Sequence, residues 1–200
     1  MKKLGTTTWR NRNYHRLDRT KKNAFDLGLY HPVIIDFGPG GVVNFLLDYL
    51  PKGDKDNWTN FLKIRRGILK LTETLIRKTN LFQLETSEPK EIAYLFNDLE
   101  PQIIYVVDIE PKVIGAVRRM ISRNGLNIHI ECVEEDITKN HLYIKGDIVI
   151  AYNVIQKTNY PKRSLEVITN SVNKGGLLSI TLDEYLDGFN KLESGLYIKL

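Results

Sequence analysis

The segment Val33-Ile34-Ile35-Asp36-Phe37-Gly38-Pro39-Gly40-Gly41 decides the fold. It opens as a short, nearly all-apolar run, the pattern of a strand covered on both faces. An acid and three glycines follow at the end of that run. Glycine has no Cβ, so the chain can turn sharply there and a ligand can approach the backbone. Residues 42–50 then read as a helix whose first N–H groups would face that ligand. Ligands of open α/β sheets bind beyond the carboxyl ends of the strands. The dinucleotide pattern G-x-G-x-x-G fails, because Val43 occupies its third glycine position. A phosphate loop would need Gly-Lys-Ser/Thr, which is absent. What remains is D-x-G-x-G.

Outward from this loop, four more apolar runs read as parallel strands, at 103–108, 128–133, 147–152 and 177–182. Helical stripes lie between them. Residues 112–123 carry Val113, Val117, Met120 and Ile121 on one side. Residues 163–172 carry Leu165, Ile168 and Val172 and run into Gly175-Gly176, a C-terminal stop. Alternating strands and helices with right-handed crossovers predict an α/β, Rossmann-like open sheet. We expect about six mostly parallel strands with helices on both faces, with residues 195–200 as a short edge strand. Asp36 and Asp108 lie 72 positions apart. A dinucleotide-type unit reaches its second acid after about 20. A helical insertion is therefore expected at about residues 51–90. Within it, residues 61–78 form an amphipathic helix with Lys63, Arg66, Lys70 and Arg77 opposite the apolar stripe. A second helix is expected at 89–99, with Pro89 in its first turn.

The net charge of +5 is uneven. Residues 1–32 hold eight Lys and Arg against two Asp, a net +6, so the remainder sums to −1. This basic arm precedes the domain at 33–200. With the basic helix 61–78 it suggests a nucleic acid partner, against the plainer reading of a solvated tail. Tyr14 and His15 lie on the arm, where they would fold over a cofactor, act as a base or, for His15, simply face solvent. A single cysteine, Cys132, excludes an internal disulfide and a cysteine-rich metal site. The histidines do not cluster, and no metal is expected. No apolar run is long enough to span a membrane, and no apolar segment follows Met1-Lys2-Lys3. A cytoplasmic setting is expected.

The D-x-G-x-G loop resembles the first motif of the class I S-adenosylmethionine (SAM)-dependent methyltransferases. Val106-Val107-Asp108-Ile109-Glu110-Pro111 resembles their second motif, and Glu134-Glu135-Asp136-Ile137 their third. Residues 147–154 resemble the fourth strand and its active-site loop. Lys174-Gly175-Gly176 resembles the turn before the fifth strand. The resemblance implies SAM as cofactor, with Asp36, Gly38, Gly40 and Gly41 around its amino-acid end. It implies that Asp108 accepts the ribose hydroxyls, that Ile109 and Ile137 pack on adenine, and that Asp136 accepts from the adenine amino group. Plainer roles stand beside these: Asp108 as a helix cap, Asp136 in a surface turn.

The activity implied is methyl transfer, in which the protein aligns the acceptor and excludes water. Asn153 and Tyr152, ending the fourth strand, are the candidate catalytic residues. Asn153 would orient an acceptor or the SAM carboxylate. Tyr152-Asn153-Val154 matches neither the Asn/Asp-Pro-Pro-Tyr motif of amino-directed DNA methyltransferases nor the Pro-Cys of cytosine enzymes. The basic arm tilts the expected acceptor toward RNA. A small-molecule acceptor, a non-catalytic SAM-binding scaffold and a nucleotide-using Rossmann-like enzyme are the alternatives.

Overall fold

A computed structural model of the chain describes residues 7–39, 88–124, 128–139, 142–152 and 154–200. The expected helices at 42–50 and 61–78 lie outside these residues, as does nearly all of the expected insertion. Seven strands form one sheet: β1 (Val33–Phe37), β2 (Ile103–Asp108), β3 (Ile130–Glu134), β4 (Gly146–Ala151), β5 (Val172–Ile180), β6 (Phe189–Glu193) and β7 (Leu196–Lys199). Their order is β3-β2-β1-β4-β5-β7-β6. The first five pair in parallel, and β7 runs antiparallel to both β5 and β6. Four helices are described: α1 (Thr7–Asp26), α2 (Glu88–Leu95), α3 (Pro111–Asn124) and α4 (Pro161–Asn170).

The period-two alternation of each central strand divides the core between the two faces of the sheet. Ile34, Ile104, Val106, Ile148, Ile150 and Leu177 cluster with residues of α1, α2 and α3. Ile35, Phe37, Val107, Val149, Ala151 and Leu178 cluster with Val167 and Ile168 of α4. Both faces of β1 and β4 are thus covered, which is why these strands read as continuous apolar runs.

The helix expected to include Val172 and to stop at Gly175-Gly176 ends at Asn170, and Val172 and both glycines belong to β5. Two further features differ from the sequence-based expectation. The described residues form seven strands, and the terminal segment is not the edge: β7 is inserted between β5 and β6. The β6–β7 turn places Gly195 against β5 with φ +71°, and a Cβ there would overlap the Ile180 carbonyl. The second feature is the basic arm. Residues 7–26 form α1, which docks on the sheet. Leu17, Thr20 and Ala24 are buried, one helical face seated beside β5. Three of its cations engage the rest of the protein: Arg19 pairs with Glu193 at 3.0 Å, Lys21 with Asp98 at 2.5 Å, and Arg16 lies over the Tyr152 ring at 5.8 Å.

The amino end of the sheet is tied by Asp147. Its Oδ2 accepts from the Val33 amide at 2.9 Å and its Oδ1 from Asn173 Nδ2 at 2.8 Å. One carboxylate therefore joins the starts of β1, β4 and β5. Asp147→Ala leaves the Val33 N–H and the Asn173 amide without it. The expected loss is about 2 kcal/mol, measured by urea denaturation with unchanged m-value.

Candidate functional site

The carboxyl ends of β1, β2 and β3 and the loop after β4 surround a cleft of about 510 Å³. That volume is within the range of small-ligand sites. Phe37, Gly38, Val107, Asp108, Ile109, Asp136, Ile137 and Val154 are among its lining residues. Five of the residues named from sequence thus come together: Gly38, Asp108, Ile109, Asp136 and Ile137. Asp36 is not among the lining residues; it is buried in β1 immediately before the lining residues Phe37 and Gly38. Gly40, Gly41 and Asn153 lie outside the described residues.

Asp36 ends a strand whose other residues are apolar, and it is 1% exposed. Among the described residues neither of its oxygens has a hydrogen-bond partner. Burial, then the charge of nearby Asp108, pushes its pKa up to about 8. A buried carboxylate without a partner is costly, and it favours either a proton or a cationic ligand. SAM carries an ammonium at its amino-acid end, so this group fits that ligand.

Gly38 makes the turn that exposes the strand end. It has φ +60°, its amide donates to the Val107 carbonyl at 2.8 Å, and a Cβ would meet Val154 Cγ2 at 2.7 Å. Gly38→Ala adds left-handed strain to this overlap. A loss of about 2 kcal/mol is expected in thermal or chemical denaturation, and a result under 0.5 would contradict this packing.

Asp108 terminates β2, and its Oδ1 accepts from the Glu110 amide at 2.8 Å. This helps form the turn into α3, and the same carboxylate lines the cleft. Ile109, in that turn, is 58% exposed at the cleft, an unfavourable place for isoleucine unless an apolar group covers it. Ile137, on the β3 side, is buried. Asp136 is occupied by its own turn: Oδ1 accepts from Thr138 N at 2.9 Å and Thr138 Oγ1 at 2.6 Å, and Oδ2 pairs with Lys139 at 3.1 Å. The Thr138 hydrogen bonds, assisted by Lys139, lower its pKa and keep it ionised. An adenine amino group would have to share these oxygens.

Tyr152 does not line the cleft, and this corrects its sequence-based placement there. It follows Ile148 and Ile150 at even spacing and shares their core face. Its hydroxyl lies 2.8 Å from Ser179 Oγ, which is 2.9 Å from Thr20 Oγ1. Thr20 Oγ1 donates to the Arg16 carbonyl at 2.8 Å, and that carbonyl can only accept. Tyr152 therefore fastens α1 to the sheet. Tyr14 and His15 are exposed on α1. Sequence reasoning missed Lys157, Thr158, Asn159 and Tyr160, which line the cleft from the loop after β4. Their position beyond the carboxyl end of a central strand was the available signal. Cys132 is half-buried on β3, and burial raises its thiol pKa. No metal-ligand group occurs among the described residues. No described helix is long and apolar enough to cross a membrane.

Strand order and cleft together define an open α/β sheet with a ligand-sized cleft at the carboxyl ends of its strands. Residues 90–180 match the family described as Methyltransferase domain. That match spans 91 of the 200 residues, so the likeness to this family covers somewhat less than half of the chain. No curated protein matches it. Among solved structures, coclaurine N-methyltransferase bound to N-methylheliamine and S-adenosylhomocysteine (SAH) is similar, with 14% identity and TM-score 0.51. That match covers 90% of this chain and 38% of the other. The plantazolicin methyltransferase BpumL, in complex with a triazolic desmethylPZN analog and SAH, is 12% identical with TM-score 0.50, covering 87% and 47%. A SAM-dependent methyltransferase from Clostridium acetobutylicum is 11% identical with TM-score 0.46, covering 86% and 51%. The chain spans about half or less of the length of these structures.

Proposed function

We propose that this chain binds SAM in the cleft and transfers its methyl group to a small-molecule nucleophile. The observation that carries the cofactor reading is Asp36, a buried carboxylate with no partner among the described residues, behind the Gly38 turn. When bound, SAM supplies a methyl group activated by a sulfonium. The chain's residues bind and orient it. Asp36 faces the ammonium, Asp108 accepts from ribose hydroxyls, and Ile109 and Ile137 sandwich the adenine. Val154 and the turn after it exclude water from the glycine loop side.

The small-molecule acceptor is favoured over RNA by α1. Three of the four α1 cations with described side chains contact the protein itself, so the basic segment already has a structural use. Surface pairs of this kind are weak, and they do not by themselves repel nucleic acid. Two solved structures similar in fold are coclaurine N-methyltransferase and the plantazolicin methyltransferase BpumL. The test uses SAM labelled in its methyl group, incubated with the protein and either a cell extract of low molecular weight or purified total RNA. Label is expected in the small-molecule fraction. Label in RNA would overturn the acceptor class. SAM binding with transfer to neither would favour a non-catalytic SAM-binding role.

A further inference from the structure

The cleft holds four acids among its described lining residues, Asp108, Glu110, Glu135 and Asp136, and two cations, Lys139 and Lys157. The two lysines are not equivalent. Lys139 is paired with Asp136 at the end assigned to adenine. Lys157 is exposed and has no ion pair among the described residues. It closes a 3-10 turn, Ile155–Lys157, with its amide donating to the Val154 carbonyl at 2.9 Å. Val154 is the residue that packs against Gly38. The lysine's turn therefore starts at the residue that packs on Gly38, two positions after Asp36 in the chain.

The turn is also firmly held. Ile155 is buried, Thr158 Oγ1 donates to the Ile155 carbonyl at 3.0 Å, and Ser164 Oγ lies 2.9 Å from Thr158 Oγ1. A cation on such a turn loses less freedom on meeting an anion than one on a mobile loop. The amino-acid end of SAM carries a carboxylate as well as an ammonium. Asp36 suits the ammonium, but a cleft lined by four acids repels the carboxylate unless a cation receives it.

Resting on the SAM-binding reading above, we propose that Lys157 is the positioning residue that binds the carboxylate of SAM. Lys157 and Asp36 would then grip the two charges of one amino-acid group, fixing the sulfonium between them. The contact would be a charge-assisted hydrogen bond, Nζ–H to carboxylate oxygen.

Decarboxylated SAM keeps the adenosine, sulfonium and ammonium and lacks only the carboxylate. Calorimetric titration of the full chain, Lys157→Ala and Lys157→Arg with SAM and with decarboxylated SAM separates the contact from a general effect on the cleft. Lys157→Ala is expected to weaken SAM about tenfold. It should leave decarboxylated SAM unchanged or bound more tightly, because a repulsive cation has gone. Lys157→Arg should restore most of the SAM affinity. Unchanged SAM affinity in Lys157→Ala, or equal losses for both ligands, would overturn the assignment. If the unaltered protein binds neither ligand, the SAM reading itself fails and this assignment falls with it.

Discussion

Asp36→Asn is expected to make the protein more stable and nearly unable to bind SAM. The side chains are almost the same size, so packing is kept while the charge is removed. A folded pKa of about 8 lies above the ordinary value of 3.8. The folded chain therefore holds a proton that the unfolded chain releases across that interval, and stability from this group falls as pH rises from about 3.8 to about 8. Asparagine abolishes that dependence. The gain in melting temperature should be largest near pH 8, on the order of 1–3 kcal/mol or several degrees, and should vanish near pH 4. Loss of the carboxylate facing a buried ammonium should weaken SAM by roughly 2–5 kcal/mol, about 30-fold to several-thousand-fold. The same linkage predicts that the unaltered protein binds SAM more tightly as pH rises from 6 toward 8, with up to about tenfold gain per unit. The gain should end where the ligand's own amino group loses its proton, at about pH 8. Differential scanning fluorimetry and calorimetric titration across pH check both halves. A destabilised Asp36→Asn at pH 8 would show that the carboxylate is satisfied in the free protein.

Asp108 should give the second large effect, by two separable routes. Asp108→Ala removes the acceptor of the Glu110 amide and the proposed acceptor of the ribose hydroxyls. Each such bond is worth about 1.5–3 kcal/mol, so SAM should weaken at least roughly 30-fold. Asp108→Asn keeps an oxygen for the turn but removes the like charge that raises the Asp36 pKa. Its SAM binding should be weaker than that of the unaltered protein, yet its pH dependence should move to lower pH. If the pH profile of Asp108→Asn does not move, the two carboxylates are not coupled as the geometry implies.

Most of the fold is legible in the sequence because β1 and β4 are buried on both faces and read as unbroken apolar runs. The acids Asp36, Asp108 and Asp136 are legible because they interrupt or follow such runs, where an apolar residue would be the ordinary choice. The position of β7 is not legible. A four-residue strand carries no local sign of which neighbours it will pair with, and only the tertiary fit between β5 and β6 places it. The docking of α1 was hidden by its composition. Its buried face contains Thr20 and Ala24, and its cations satisfy partners as distant as Glu193. The misplacement of Tyr152 had a readable cause. Counting by twos from Ile148 puts it on the core face, whereas its nearness to the strand end suggested the cleft. Lys157 was passed over because nothing in Ile155-Gln156-Lys157 departs from an ordinary surface turn. Only the approach of Val154 to Gly38 ties its turn to the end of β1.

The central claim is that the cleft behind Gly38 is a SAM site, and calorimetric titration of the chain with SAH at pH 7.5 tests it most directly. The account predicts saturable binding at one site per chain, lost in Asp36→Asn and Asp108→Ala. An absence of binding, or binding that both substitutions leave unchanged, would contradict it.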